Sequence, residues 1–264
     1  MSSIRVSDRG PIREIAFDRP ERMNAIRLDV VREALAAVDA AASDRAVRVV
    51  ALTGTGRAFC AGADLAIGGA AELAEYIERD ADDIIVAMNA LVSAIVAAPK
   101  PVVAVVNGPA VGVGMSFALA CDLAVASDAA YFKPGFEGIG LMPDGGGTVF
   151  ATAALGRQRA LAAILLGDPI PAAAALEAGL VARVWPDAEF RERAEELLLR
   201  LAASSPDATA AAKRAVTALA LPGLADGLAF EREHQGRLLR GADFAEGVAA
   251  FAQRRPPRFG AAAD

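Results

Sequence analysis

The sequence predicts an α/β fold followed by a purely helical C-terminal region, and three observations support this prediction. Short apolar segments of strand length alternate with helical periodicity in the first half of the chain. Glycine and proline residues separate these segments. After Ser204, Ser205 and Pro206 the periodicity is helical almost to the end. The 264 residues suffice for one large domain, or for one domain with a helical extension.

The individual elements follow from the spacing of apolar residues. Residues 12–17 alternate apolar and charged side chains, which suits an early antiparallel strand, and the apolar run at 47–53 stops at Gly54 and Gly56. Two further strands are predicted at 102–106 and 123–126. The predicted helices span residues 28–42, 73–98 (as one helix or two), 114–120, 207–221, 224–239 and 243–254.

Composition excludes several classes of function. The formal charge of −6 argues against nucleic acid, because phosphate neutralisation needs clustered Lys and Arg. Charges interrupt the N-terminal segment where a signal peptide needs an apolar core, and glycines and a proline break the longest apolar stretch, so neither export nor a membrane span is expected. Cys60 and Cys121 suit a reducing, cytoplasmic location. With one histidine, His234, no metal site is expected.

Two glycine-rich turns each follow a predicted strand. They read FCAGADL (59–65) and NGPAVGVGMSFALACDL (107–123). Small residues let a ligand approach the backbone, and N–H groups before the first helical turn are unpaired donors. Two such donors converging on one oxygen would form an oxyanion hole. Neither turn has phosphate-loop spacing, and each turn taken alone is also consistent with an ordinary turn that only connects a strand to the next element.

A single acid stands in an otherwise apolar and glycine-rich stretch, GIGLMPDGGGT (138–148). This acid is Asp144, preceded by Ile139, Leu141 and Met142. Poor solvation by such neighbours would raise its pKa and make it a better base once ionised. Alternatively, Asp144 caps a helix that starts near residues 146–147.

Seven collinear blocks resemble the crotonase superfamily, the enoyl-CoA hydratase/isomerase family. They are RPERMNAI (19–26), AFCAGADL (58–65), KPVVAVVNGPAVGVG (100–114), ALACDLAVAS (118–127), GIGLMPDGGGT (138–148), EAGLVARV (177–184) and EGVAAFAQRRPPRF (246–259). The resemblance implies a crotonase-type spiral of β-β-α turns over residues 1–200. It also implies a C-terminal helical region, 201–264, that assembles homotrimers or dimers of trimers. The implied ligand is an acyl-CoA thioester, with no cofactor beyond the coenzyme A of the substrate.

The resemblance also assigns site residues. The backbone N–H groups of Ala63 and Val113 match the two donors that hold the thioester oxygen, although the second position is usually glycine. Asp64 matches a residue that orients the first turn, and it could instead be an N-cap. The other residues expected to contact substrate or coenzyme A are Arg27, Ala61, Gly62, Gly112, Phe136 and Pro143. Arg27 is either a phosphate partner or a solvated helix charge.

The acidic residues distinguish the possible reactions. Similar hydratases use two glutamates, whose positions hold Ser116 and Phe136 here, so both glutamates are missing. A bulge could bring the adjacent Glu137 inward. Isomerases resembling this chain carry an aspartate at the position of Asp144. The leading expectation is therefore an enoyl-CoA isomerase with Asp144 as its only base. The alternatives are a hydratase that uses Asp144 or Glu137, and a catalytically silent acyl-CoA-binding protein.

Three further features receive less weight. His234 is expected at a surface or interface, and the two cysteines are expected to be core thiols. The basic run of Arg254, Arg255 and Arg258 either meets coenzyme A phosphates across a subunit boundary or is a solvated tail.

Overall fold

The computed structural model describes residues 2–65 and 70–260, which form nine β-strands and nine α-helices. The strands are β1 (Ile4–Arg9), β2 (Ile12–Phe17), β3 (Val49–Gly54), β4 (Val102–Val106), β5 (Ala110–Val111), β6 (Leu123–Ser127), β7 (Tyr131–Lys133), β8 (Ile170–Pro171) and β9 (Arg183–Trp185). The helices are α1 (Leu28–Ser43), α2 (Ala70–Ala97), α3 (Val113–Ala120), α4 (Gly147–Leu166), α5 (Ala172–Ala178), α6 (Asp187–Ala202), α7 (Pro206–Ala220), α8 (Leu224–Leu238) and α9 (Ala242–Gln253).

The main sheet has six strands in the order β1-β2-β3-β4-β6-β9. Strands β1 and β2 pair antiparallel, and the remaining neighbours pair parallel. Parallel neighbours need crossover connections: α1, α2 and α3 supply the first three, and the connection from β6 to β9 includes α4 and α5. A second, three-stranded sheet has the strand order β5-β7-β8. The carboxyl ends of β3 and β4 therefore share one edge of the main sheet, and each of the two glycine-rich turns follows one of them.

The main sheet is buried on both faces, which explains why its strands read as continuous apolar runs. Along β3, Val50 and Leu52 pack into the larger core with α1, α2 and α3. The alternate residues Val49 and Ala51 pack on the opposite face against Phe190 of α6.

Most predicted elements are confirmed. Strands β2 and β4 match their predicted bounds, and residues 73–98 belong mostly to one helix, α2. Strand β3 begins two residues later than predicted because the Val47 N–H bonds to the Asp44 carbonyl in a turn. The mixed α/β architecture with a C-terminal helical region is confirmed, whereas the boundary at residue 200 stays a prediction.

The C-terminal helices return to the core and cover the edge where the glycine-rich turns lie. Helix α8 packs against α2 and α4, and α9 packs against the short turn at residues 137–139. The last contact requires Gly247, because an ideal Cβ there would lie 2.5 Å from the Cα of Ile139. The C-terminal helices and the glycine-rich turns therefore lie together at this edge of the sheet.

Within the described residues, α4 is the one helix long and apolar enough to cross a membrane by length and composition. Its backbone breaks at Gly156, where φ is 70° and ψ is 164°, and Arg157 and Arg159 follow the break. Helix α4 thus consists of two shorter stretches, each below the roughly 20 residues that a helical span needs.

Candidate active site

The two glycine-rich turns lie in direct contact. The N–H groups of Phe59 and Cys60 donate to the Pro109 carbonyl, and the Val111 N–H donates to the Cys60 carbonyl. Gly62 and Gly112 have φ values of 87° and 57°, a region that favours glycine. An ideal Cβ on Gly62 would lie 2.9 Å from the carbonyl oxygen of Val111. Glycine at both positions therefore lets the two backbones approach closely.

The N–H groups of Ala63 and Val113, one in each turn, have no backbone hydrogen-bond acceptor among the described residues. The Ile26 N–H donates to Gly62 and the Asp64 N–H donates to Ile26, so the N–H of the intervening Ala63 points away from that bridge. Val113 is the first residue of α3, where N–H groups lack an intrahelical partner. Both donors thus remain available to a ligand.

The branched side chain of Val113 is accommodated by a glycine on the facing loop. An ideal Cβ at Gly145 would lie 3.2 Å from Val113 Cγ2 and 3.5 Å from Ser116 Cβ. Gly145 also has a φ of 59°. Valine at this position therefore packs without displacing the backbone donor.

Ala63 and Val113 border an apolar cavity of about 110 Å³. The cavity also contains six other predicted site residues, namely Ala61, Gly62, Asp64, Gly112, Phe136 and Asp144. Its described walls further include apolar side chains of α2, among them Ile84, Ile85 and Met88, and of the C-terminal region, Leu239 and Phe244. One cavity thus brings together the unpaired donors, an acid and an apolar wall.

Asp64 is buried in this wall and is held by Arg19. The Arg19 Nη2 donates to Asp64 Oδ2 over 2.8 Å, and the same guanidinium donates through Nη1 to the Ala25 carbonyl. The side chains of Arg19 and Asp64 are 12% and 6% exposed. This ion pair fixes the first glycine-rich turn to the segment before α1, in agreement with an orienting role for Asp64.

Asp144 is 6% exposed, and its two carboxylate oxygens differ. Oδ2 accepts a hydrogen bond of 3.0 Å from Nε2 of Gln235, whereas Oδ1 is buried without a hydrogen-bond partner among the described residues. Burial raises the pKa of Asp144 to about 7, the Gln235 hydrogen bond opposes this rise, and the charge of Glu231 adds to it. A carboxyl group with this pKa exchanges its proton near neutral pH.

Glu231 rather than Asp144 caps helix α4. Glu231 accepts hydrogen bonds from the Gly146 N–H at 2.7 Å and from the Thr148 N–H at 2.9 Å, and it also accepts from the Thr148 hydroxyl. The side chain is fully buried, and this burial raises its pKa against the effect of those hydrogen bonds. Capping by Asp144, the alternative interpretation of the sequence, is therefore wrong.

Glu231 and Gln235 were not identified as site residues from the sequence. A signal was present: Leu228, Glu231 and Gln235 follow a spacing of three and four residues along one face of α8, and all three are buried. Two polar residues on the buried face of an amphipathic helix indicate a polar partner elsewhere in the fold. That partner is the loop that carries Asp144.

The positions of the hydratase glutamates hold no acid in the structure. Ser116 donates from its Oγ to the Asp144 carbonyl at 2.8 Å, and Phe136 forms part of the cavity wall. Glu137 does not border the cavity. Its carboxylate lies against Gly167 at the end of α4, so close that a Cβ on Gly167 would overlap it. The proposed inward bulge is absent, and Glu137 is not placed to act on a ligand in this cavity.

Two predicted contact residues lie outside the cavity. Arg27 is bonded to Asp29 at 2.7 Å, and its part in binding coenzyme A stays a prediction. Pro143 borders a small separate space behind Ser116.

The remaining candidates from the sequence do not reach the cavity either. His234 stacks on Phe230 with ring centroids 3.9 Å apart. Arg255 of the basic run pairs with Glu246 and lowers the pKa of that carboxyl group to about 2. Both cysteines are buried, and this burial raises the pKa of the Cys60 thiol to about 12. They are core thiols.

Two backbone donors that face an apolar cavity, together with a buried acid of raised pKa, Asp144, define a class of protein: the enzymes that stabilise an oxyanion on a largely apolar substrate. Comparison with known proteins gives the family. A family model described as enoyl-CoA hydratase/isomerase matches residues 8–262. The chain belongs to the enoyl-CoA hydratase/isomerase family, whose members are acyl-CoA enzymes with the crotonase fold.

Some of the similar proteins are named hydratases and others are named isomerases. The chain is 40% identical over 246 residues to a probable enoyl-CoA hydratase of Rhodobacter capsulatus, and the matched region covers 93% of each chain. It is 34% identical over 251 residues to the 1,2-epoxyphenylacetyl-CoA isomerase of Escherichia coli, again covering 93% of each chain. A crystal structure of an enoyl-CoA hydratase from Mycobacterium avium subsp. paratuberculosis superposes with a TM-score of 0.91 at 40% identity, covering 99% of this chain and 100% of the other.

Proposed function

We propose that this protein is an isomerase that moves the double bond of an enoyl-CoA thioester, with Asp144 as its single base. The observation that carries the proposal is which acidic residues border the cavity and which of them are paired. Asp144 borders it with a free carboxylate oxygen, Asp64 is paired with Arg19, and the two hydratase positions hold Ser116 and Phe136. One acid suffices for moving a proton between two carbons of the same substrate.

The proposed reaction begins at the thioester carbonyl. Its oxygen accepts hydrogen bonds from the N–H groups of Ala63 and Val113, which stabilise negative charge there. Ionised Asp144 removes a proton from C2 of a 3-enoyl thioester, and the electron pair delocalises over the carbonyl oxygen and the former double bond. Protonated Asp144 then returns the proton to C4, so the double bond ends between C2 and C3. A pKa of about 7 suits an acid that must take and return one proton.

The cavity also favours a neutral acyl group. Apart from Asp64 and Asp144, the side chains on its described walls are uncharged. A carboxylate on the acyl group would therefore enter an apolar space with no cation to pair with it, which is unfavourable by several kcal/mol, on the order of the penalty for burying an unpaired charge.

The alternative is hydration of a 2-enoyl thioester, with Asp144 activating water. The names of relatives support it, since the Rhodobacter and Mycobacterium proteins at 40% identity are both called hydratases. Against it, Asp64, the other carboxylate among the described cavity residues, is paired with Arg19, and the positions of the two hydratase glutamates hold Ser116 and Phe136.

An absorbance assay of the conjugated thioester separates the two reactions. With a 3-enoyl-CoA substrate, an isomerase produces absorbance as conjugation forms, and with 2-enoyl-CoA a hydratase removes it. We expect formation with the first substrate and a rate at least about 100-fold lower in Asp144→Asn, the loss typical of removing a general base. The exposed Asp39→Asn variant is the matched control. Removal of the conjugated absorbance as the faster reaction would refute the isomerase assignment.

A further inference from the structure

Gln235 is a buried amide, 1% exposed, whose orientation is set by its two partners. Its Oε1 accepts a hydrogen bond of 3.2 Å from the Met142 N–H, and its Nε2 donates to Asp144 Oδ2 over 3.0 Å. A backbone N–H can only donate, so the amide oxygen must face Met142. The NH₂ group consequently faces Asp144, and an NH₂ group is a donor only.

This orientation makes the two oxygens of Asp144 chemically different. Oδ2 must keep a lone pair toward Gln235, which disfavours a proton on that oxygen. Oδ1 is buried and has no hydrogen-bond partner within residues 2–65 and 70–260. A buried carboxylate oxygen without a partner is uncommon and needs an explanation. A substrate C–H proton would supply the missing partner.

We propose that Gln235 is a positioning residue that confines both proton transfers to Oδ1 of Asp144. The inference rests on the proposed function, in which Asp144 is the base. Holding Oδ2 fixes the plane of the carboxyl group, so that one oxygen takes the proton from C2 and the same oxygen returns it to C4. Confinement to one oxygen removes the need for the carboxyl group to rotate between the two steps.

Helix α8 provides the rigidity that this role needs. Glu231 and Gln235 are one turn apart on α8 and bind the same loop on either side of Asp144, through Gly146 and Thr148 on one side and through Met142 on the other. The loop is therefore held at three backbone N–H groups by one helix. Asp144 therefore reaches the cavity from a segment that hydrogen bonds to α8 hold in place.

Gln235→Met tests the inference, because methionine approximates the shape of glutamine and lacks both hydrogen-bonding groups. The other titratable side chains on the cavity, Asp64 with its partner Arg19 and Tyr76, are unchanged in this variant, as is the nearby Glu231. Loss of a donor to the charged form of Asp144 should move the acidic limb of the kcat profile upward by about one pH unit. We expect kcat at pH 7 to fall about 10-fold or more with KM nearly unchanged.

Two further variants complete the experiment. Gln158→Met, on the exposed surface of α4, is the matched control and should retain the wild-type profile. Gln235→Glu keeps the length of the side chain and places a carboxylate beside Asp144, so its acidic limb should move upward as well; it also serves if Gln235→Met does not fold.

The outcomes separate the inference from the proposed function. If Asp144→Asn is inactive while the Gln235 variants keep the wild-type acidic limb, the positioning role is refuted and the isomerase proposal stands. A fall in kcat without a shift of the limb means that Gln235 only supports the loop, which also overturns the inference. If Asp144→Asn retains full isomerase activity, the proposed function itself fails.

Discussion

Replacing Asp144 with asparagine should stabilise the protein at neutral pH, and the size of the effect follows from the pKa of this residue. The carboxyl group has a pKa of about 7 in the folded protein and an ordinary value of 3.8. Between these two pH values the folded state binds more protons than the unfolded state, so stability falls as the pH rises through that window. A difference of about three pKa units corresponds to about 4 kcal/mol at full ionisation.

The difference between the two proteins depends on pH in a calculable way. At pH 5 only part of this penalty is present, because folded Asp144 is still protonated while the unfolded group has ionised. At pH 8 nearly all of it is present. The stability of Asp144→Asn relative to wild type should therefore grow by about 2 to 3 kcal/mol between pH 5 and pH 8. Glu231 is present in both proteins, so its own titration largely cancels in this comparison.

Urea unfolding followed by circular dichroism, at equal protein concentration and at both pH values, measures this difference. Asp8→Asn is an informative control, because Arg13 lowers the pKa of Asp8 through a hydrogen bond. Asp8 is ionised in both the folded and the unfolded state at pH 5 and at pH 8, so the stability of Asp8→Asn relative to wild type should be the same at the two pH values. A gap between Asp144→Asn and wild type that is the same at pH 5 and pH 8 would refute the reasoning, since Asp144 would then not titrate with a raised pKa.

Three other substitutions test parts of the same site. Gly62→Ala should lower kcat by about 10-fold or more in steady-state assays, because an ideal Cβ would lie 2.9 Å from a facing carbonyl oxygen and displace an oxyanion donor. Arg19→Leu should reduce the free energy of unfolding in urea by about 3 kcal/mol, because it removes the guanidinium from the buried carboxylate of Asp64. Glu231→Gln keeps one of the two acceptor oxygens and removes the charge, so the acidic limb of the pH–rate profile, which reports Asp144, should move downward.

The parts of the fold that could be predicted are those in which one short segment determines its own structure. Strand β4 is a run of five apolar residues between proline and asparagine, and burial on both faces of a parallel sheet requires such a run. Helix α7 begins at Pro206, directly after two serines. The two-residue strands β5 and β8 carry no comparable signal, because so short a segment has no periodicity.

The candidate site divides in the same way. The two glycine-rich turns could be recognised as possible sources of backbone donors from their own residues, and the resemblance to the crotonase superfamily then implied Ala63 and Val113 as the donors. Asp144 could be identified because its own neighbours in sequence are apolar. Gln235, which makes the two oxygens of Asp144 different, could not be identified from the sequence. It lies 91 residues away, and its pairing depends on how α8 packs across the core. Helical spacing places Gln235 on the buried face of α8 but does not say what lies opposite.

The same pairing decides why an acid stands at position 144. If the acid served helix α4, its carboxylate would bind the free N–H groups at the start of that helix, and capping would offset its burial. Those groups are already bound by Glu231, and among the described residues the side-chain partner of the Asp144 carboxylate is the amide of Gln235 on the other side of the loop. An asparagine at position 144 could accept the same hydrogen bond from Gln235 without the penalty of ionisation. A carboxyl group retained where a neutral amide would be more stable is best explained by chemistry that needs a proton to be taken up and released.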